Sequence, residues 1–456
     1  MIAALDPPLI PQSHPPARRL ANARKHAGHP CAREARSPRV LDWKLHRAAI
    51  HAAMTTPEIL RSFTILAATA GPLAAADPLV ERIPAVFERA ATQYSGMLEA
   101  VSEQPGQPRT IKPDGGVHMV PPEDWTSGFF PGCLWFLHEY DGSEEWRNHA
   151  LAWTRRLEVI RHFKGNHDGG FMLGCSYGNA LRLAPADEFR AVLRDASAAL
   201  ATRFIPELGL IRSWDHKPFI CPVIIDNMMN LELLSWAAKN GGDAKLREIA
   251  VSHADRTDAK HFRADGTAFH IVDYDPQTTR IRAIYAGQGA DVLTPWSRGQ
   301  SWGIYGFTMM HRETGRPEYL ARAISLAEAV INHPNMPADK VPCWDLGVQA
   351  GDGVPRDASA AAIMASALIE LSQLAPGGDK FLSLARDQLL ALASPAYLAE
   401  PGTNGHFLLR HSTGHLPGNS EIDVPLVYAD YYFLEALLRY RALVTKNPRT
   451  HFGGAR

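Results

Sequence analysis

Pro295-Trp-Ser-Arg-Gly-Gln-Ser-Trp-Gly-Ile-Tyr-Gly-Phe307 gathers two tryptophans, an arginine and a glutamine at the entry to a run whose apolar residues recur at helical spacing through residue 314. The same design, a polar and aromatic entry followed by an apolar helix, repeats along the chain. Periodicity predicts helices over about 80–104, 128–140, 143–161, 186–203, 228–239, 243–260, 301–314, 317–333, 357–375, 379–393 and 425–444, and a shorter one over 172–183. Gly-, Asp- and Pro-rich connections separate them. Only 262–285, with Phe269-His-Ile-Val272 and Ile281-Arg-Ala283, reads as a hairpin. The fold class is all-α with about twelve helices, and the alternation of Ala-rich with aromatic helices fits two concentric layers. Periodicity alone does not close those layers into a ring.

The helix entries hold the candidate chemistry. Asp226 lies in Val223-Ile-Ile-Asp-Asn-Met-Met-Asn-Leu-Glu-Leu-Leu234, a run otherwise apolar enough for a core. A carboxylate taken out of water is costly unless paired, and desolvation raises its pKa toward neutrality, which suits a general acid/base. The competing reading is a helix cap, with Asp226 and Asn227 satisfying free N–H groups. Asp168, in Asn166-His-Asp-Gly-Gly-Phe-Met172, precedes two glycines that admit close approach of backbone or ligand; it reads equally as a turn residue. Trp125 stands in Glu123-Asp-Trp-Thr-Ser-Gly-Phe-Phe130, ahead of an aromatic helix. Tryptophan faces stack on sugar rings while Arg and Gln bond carboxylates and hydroxyls, so the 295–307 stretch reads as a carbohydrate wall. Trp296 and Trp344 read equally well as core.

Several of these segments, taken in order, resemble the unsaturated glucuronyl hydrolases of glycoside hydrolase family 88. They are Trp125-Thr-Ser-Gly-Phe-Phe-Pro-Gly132, His167-Asp-Gly-Gly-Phe-Met172 with Cys175-Ser-Tyr-Gly178, Ile225-Asp-Asn-Met-Met-Asn-Leu231, Trp296–Phe307, and Asp357-Ala-Ser-Ala-Ala-Ala-Ile363 downstream of Trp344-Asp345. The resemblance runs from about residue 80 to about 445. It implies an (α/α)6 barrel, six inner and six outer helices, with the site at one end. By position it makes Asp226 the general acid/base and Asp168 the second essential carboxylate. Trp125, His167, His270, Gln288, Arg298 and Trp302 fall on sugar-contacting positions, His270 and Gln288 mainly by their distance from Arg298. His270 also reads as a strand histidine, and Gln288 as a turn cap. Arg298, between two tryptophans, is expected to be held planar and to take a carboxylate through two bonds.

The implied substrate is an oligosaccharide ending in the 4,5-unsaturated uronic acid that polysaccharide lyases leave behind. Asp226 would protonate C4 and then activate water for C5, with Asp168 holding hydroxyls and keeping Asp226 protonated by repulsion. No metal or organic cofactor is called for. Two other readings stay open. One is the sister family acting on unsaturated rhamnogalacturonan; the other is a non-catalytic glycan-binding protein on the same barrel, which would need neither acid.

Composition sets the frame. The 456 residues are 46% apolar and 21% charged, enough for a large core, and no linker-like stretch interrupts 77–445, which reads as one catalytic domain. The formal charge of −1 is uneven: residues 1–53 hold nine Lys/Arg against three Asp/Glu, which leaves the rest acidic and argues against nucleic acid as a partner. Those 53 residues are rich in Pro, Arg, His and Ala, lack Phe and Tyr, and read as a disordered extension. From Met54 the chain resembles a signal peptide: Arg61, an apolar core Phe63–Leu73, then Ala74-Ala-Ala76 before Asp77. Translation from Met54 and export to a periplasm are expected; without that start the protein would stay in the cytoplasm. N-terminal sequencing of the protein made by its own cells should therefore begin at or near Asp77, and intact residues 1–53 on cytoplasmic protein would overturn both expectations. No stretch reaches the roughly 20 apolar residues of a membrane span.

Cys133, Cys175, Cys221 and Cys343 are scattered singly without zinc spacing and read as buried thiols, with a disulfide left open. His406, His411 and His415 sit in a Gly/Pro/Asn-rich loop and read as loop residues before metal ligands. Residues 446–456 read as a tail.

Overall fold

The computed structural model describes residues 77–447 and residue 449. The extension, the signal-like segment and most of the tail lie outside them. Twelve α-helices follow in order among the described residues: α1 (Pro78–Val101), α2 (Phe129–Asp141), α3 (Glu144–Arg155), α4 (Asn179–Leu183), α5 (Asp187–Ala201), α6 (Leu231–Lys239), α7 (Lys245–Lys260), α8 (Ser297–Thr314), α9 (Pro317–Ile331), α10 (Ala358–Leu374), α11 (Asp379–Leu392) and α12 (Val427–Val444). A π-helical segment, Gly170–Gly178, runs into α4, and a 3₁₀ turn, Ile225–Asn230, runs into α6.

The even-numbered helices form a closed inner ring. α2 packs on the π-helical segment, that segment on the 225–230 turn and α6, these on α8, α8 on α10, α10 on α12, and α12 returns to α2. Each odd-numbered helix backs an inner neighbour, as α9 does α8 and α11 does α10. This is the (α/α)6 barrel. Burial, not composition, separates the layers. Inner α10, Ala-rich, and inner α8 and α12, aromatic, are buried nearly all round, as a helix with no solvent face must be. Outer α1 buries one stripe, Leu79, Ile83, Val86, Phe87, Ala90 and Tyr94 among it. Ala-rich and aromatic helices therefore share the inner of the two expected layers.

Close approach between inner helices needs small residues. A Cβ on Gly132 of α2 would sit 2.3 Å from the Tyr431 ring, and one on Gly306 of α8 2.4 Å from Met228 Cβ. Caps fix the helix ends. Asp77 accepts from Leu79 N at 3.0 Å with Pro78 behind it, and Asp357 accepts from Ser359 N at 3.1 Å to start α10. Gly142 and Gly315, at φ 76° and 73°, end α2 and α8 in the left-handed conformation.

Among the described residues nine short strands lie in the connections: β1 (Gln107–Ile111), β2 (Val117–Val120), β3 (Phe204–Ile205), β4 (Leu210–Ile211), β5 (Cys221–Ile224), β6 (Ile271–Tyr274), β7 (Ile281–Tyr285), β8 (Ser412–His415) and β9 (Ser420–Val424). The expected 262–285 hairpin is β6–β7, and β5 adds to it as a third antiparallel strand. The far end of the barrel is filled by ion pairs: Arg312 meets Glu370 at 2.7 Å and Arg439 meets Glu370 at 2.9 Å. Within the expected tail, Arg449 is buried against Glu139 through two bonds of 2.8 and 2.9 Å. Cys133, Cys175, Cys221 and Cys343 are free and buried. No described helix is long and apolar enough to cross a membrane.

Candidate active site

At the other end of the ring a cavity of about 400 Å³ is lined by Trp125, His167, Asp168, Asp226, His270, Gln288 and Arg298, with Trp214, Phe219 and His415 completing the wall. Strand register explains why residues distant in sequence meet here. Ile224 at the end of β5 pairs with Ile271 at the start of β6, so Asp226, just past one, and His270, just before the other, face each other; Ile225 N donates to the His270 carbonyl at 3.2 Å. Across the hairpin Ile271 pairs with Tyr285, which carries Gln288 to the same ring: its N–H donates to His270 Nδ1 at 2.9 Å. Nδ1 also lies 3.2 Å from the Ala286 carbonyl, so two backbone groups, one donor and one acceptor, hold the ring from that side. Burial depresses the His270 pKa to about 3 and keeps the ring neutral. Nε2 points at Asp226 Oδ2 from 4.0 Å.

Asp226 does not cap a helix. Ile224 occupies the cap position of the 225–230 turn without a side-chain bond, and Asp226 Oδ2 is buried with no hydrogen-bond partner. The carboxyl, 14% exposed, is pushed by burial from an ordinary 3.8 to about 7, against the opposing pull of Arg298. An unpartnered buried oxygen on a group titrating near neutrality is costly structurally and useful chemically. Asp168 sits just ahead of the π-helical segment. Its own turn is closed by Asn166, whose Oδ1 accepts from Asp168 N at 3.0 Å, so the carboxyl is left to face the cavity. Burial, then Asp226 and Asp124, raise its pKa well above the carboxylate range. Burial raises both carboxyls, and the charge of Asp226 adds to the rise at Asp168.

Arg298 departs from expectation in two ways. It lies in the first turn of α8, which begins four residues earlier than the sequence suggests, and its guanidinium rests between Trp296 and Tyr428, at 4.6 and 5.4 Å from their ring centres, with no second tryptophan against it. Its terminal nitrogens are already committed. Nη1 donates to Asp357 Oδ2 at 2.8 Å and the Thr413 carbonyl at 2.7 Å; Nη2 donates to the Gly414 carbonyl at 2.7 Å and to Gln288 Oε1. No two-pronged grip on a substrate carboxylate remains. Arg298 instead ties α8, α10, β8 and Gln288 together and supplies positive charge beside Asp226. Trp302 is also misplaced by the resemblance: fully buried, it packs against Phe171 with centroids 5.0 Å apart, beneath the wall and not in it. Trp125 does reach the cavity and leans on Tyr428 at 4.8 Å. Trp344 and Trp296 are buried, and His270 stacks on Trp296 at 4.2 Å.

Sequence reasoning missed Trp214 and Phe219. Their signal was present: Arg212-Ser-Trp-Asp-His-Lys-Pro-Phe219 places two aromatics in a polar, Pro-containing loop, where Trp214 and His216 stack at 5.4 Å. The three loop histidines part: His415 lines the cavity, His411 pairs with Asp423 at 2.6 Å and His406 packs beside Gly96.

Comparison with known proteins agrees with this architecture. No protein-family model matches the chain. An unsaturated glucuronyl hydrolase of Formosa agariphila is 44% identical over 333 residues, 72% of this chain and 83% of that protein. The chain belongs to the unsaturated glucuronyl hydrolases. A second member of these hydrolases, from a Bacillus species, is 33% identical over 335 residues, 71% of this chain and 87% of the relative. The crystal structure of an unsaturated glucuronyl hydrolase specific for heparin superposes with a TM-score of 0.78 at 44% identity, covering 80% of this chain and 98% of the other. Unsaturated glucuronyl hydrolases are glycoside hydrolases, and the barrel described above is theirs.

Proposed function

We propose that this enzyme removes the terminal 4,5-unsaturated glucuronic acid from lyase-generated oligosaccharides by hydrating its double bond, with Asp226 as the single proton-transfer group. The observation that carries this is the Asp226 carboxyl: buried, unpartnered at Oδ2 and titrating near 7. The unsaturated ring is a vinyl ether. Protonation at C4 by Asp226 generates an oxocarbenium-like centre at C5; the carboxylate so formed takes a proton from water as its oxygen bonds to C5. The resulting hemiketal opens and expels the next sugar. Ordinary glycoside hydrolysis divides acid and base between two carboxyls flanking the anomeric carbon, whereas here one group serves twice. His270 faces the Asp226 carboxyl across 4.0 Å, and Trp125, Trp214 and Phe219 offer ring faces. Heparin-type lyase products are the first to test, given the 44% identity to a structure described as specific for heparin.

The acid must hold its proton before C4 can receive it, so kcat/KM should follow the protonated fraction of Asp226. We expect a plateau at acidic pH and a fall of about tenfold per pH unit above a midpoint near 7. A pH–rate profile on an unsaturated heparin disaccharide, followed by loss of the double-bond absorbance, checks this; a falling limb centred near 4 would remove Asp226 from the role.

A further inference from the structure

Asp357, the cap of α10, does not line the cavity, yet a chain of hydrogen bonds ties it to the wall. It is fully buried and divides its two oxygens: Oδ1 accepts from Ser359 N at 3.1 Å, and Oδ2 accepts from Arg298 Nη1 at 2.8 Å. Arg298 is itself 1% exposed, and a buried guanidinium needs a carboxylate in contact with it. The Thr413 and Gly414 carbonyls also accept from Arg298, but neither carries a balancing charge. From Nη2 the guanidinium donates to Gln288 Oε1. Arginine has donors and no acceptor, so the carbonyl end of the Gln288 amide is the end that meets it. The other end is a donor. Gln288 lines the cavity, and among the described residues no acceptor takes its Nε2. Its backbone is anchored separately: the N–H donates to His270 Nδ1 at 2.9 Å. Gly287 before it, at φ 60°, leaves no room for a Cβ, which would lie 2.3 Å from that nitrogen. Only the direction of the amide depends on Arg298.

We infer that Asp357 is a positioning residue: by holding Arg298 it fixes the Gln288 amide with its NH₂ end toward the cavity, as a donor to an acidic sugar. The relay has one polarity because a carboxylate accepts, a guanidinium donates, and an amide accepts at one end and donates at the other. With the amide reversed, the same wall would offer a carbonyl oxygen, which repels an anion. Trp296 and Tyr428 keep the plane of the guanidinium but do not choose its partners. The gain in binding rests on the uronate reading of the cavity. The direction of the amide does not, being a property of the free protein.

Asparagine caps a helix about as well as aspartate, so Asp357→Asn keeps the start of α10 and removes the charge opposite Arg298. Its KM for an unsaturated heparin disaccharide should rise about tenfold or more with a smaller change in kcat, as the loss of one charge-assisted hydrogen bond predicts. Gln288→Ala should do the same. The double variant should lie within about threefold of the worse single one; a merely structural Asp357 would give independent defects that multiply to about a hundredfold. In the free protein, nitrogen-15 spectra of the glutamine side-chain amides, with Gln288 assigned by its loss in Gln288→Ala, should show that amide moved in Asp357→Asn. Should Asp357→Asn fail to fold, Gln288→Glu keeps an acceptor for Arg298 and replaces the donor with a negative oxygen, so its KM should rise further than that of Gln288→Ala. A multiplied double-variant defect, an unmoved Gln288 amide, or a Gln288→Glu KM near the wild-type value would overturn the inference. A moved amide in a protein that does not turn over unsaturated disaccharides would support the inference and count against the proposed activity alone.

Discussion

Asp226→Asn is expected to lower kcat by three orders of magnitude or more while leaving substrate affinity near that of the wild type. The amide preserves shape and polarity but cannot exchange a proton. General acid–base assistance is worth roughly 10²–10⁴-fold per step, and here the same carboxyl both protonates C4 and deprotonates water. A second measurement separates this from damage to the fold. The Asp226 pKa is raised from 3.8 to about 7, so the folded state holds a proton the unfolded chain has lost. Stability contributed by this residue therefore falls as pH rises between those values, and above pH 7 the buried carboxylate costs roughly 4 kcal/mol. The asparagine variant should then melt at a higher temperature than the wild type at pH 8. More than about a tenth of the wild-type kcat remaining, a deficit of only about 1.4 kcal/mol, would sink the acid/base assignment.

The second large effect concerns the substrate's double bond. A saturated glucuronide of identical linkage should be cleaved at least about 10³-fold more slowly than the unsaturated one, because it offers Asp226 no alkene carbon to protonate and loses a general-acid contribution of that order. Turnover in heavy-oxygen water should place the label on C5 of the released keto acid, measured before it exchanges, and none on the anomeric carbon. Label at the anomeric carbon, or brisk cleavage of the saturated sugar, would mean ordinary hydrolysis with Asp168 and Asp226 sharing acid and base work.

What the sequence exposed and what it hid divide along physical lines. Helices show because their apolar faces repeat every three to four residues; Asp226 shows because it interrupts an apolar run with a charge, and Asp168 because two glycines follow it. The strands are two to five residues long, too short to establish alternation, so the register that brings His270 to Asp226 is invisible beforehand. Direction is hidden as well. Trp302 falls on the inner face of α8, below the cavity, and a linear reading of 296–302 cannot tell a wall from a floor. Arg298 looked free to bind a carboxylate because its partners Asp357, Thr413 and Gly414 lie 59 to 116 residues away.

Closure of the inner ring by α12 against α2 also sets when the protein can work. Trp125 stands on a loop whose Asp124 is clasped by Arg109, and Arg109 in turn grips Glu421, 312 residues further on; Arg298 leans on Tyr428 and on the β8 backbone. A growing chain on the ribosome therefore has no complete cavity until β9 and the start of α12 have emerged. Contacts this distant in sequence form slowly. Meanwhile α10, buried nearly all round in the finished barrel, has no final neighbour to cover one side, so the half-made barrel is the state most exposed to aggregation and the one a holding chaperone would meet.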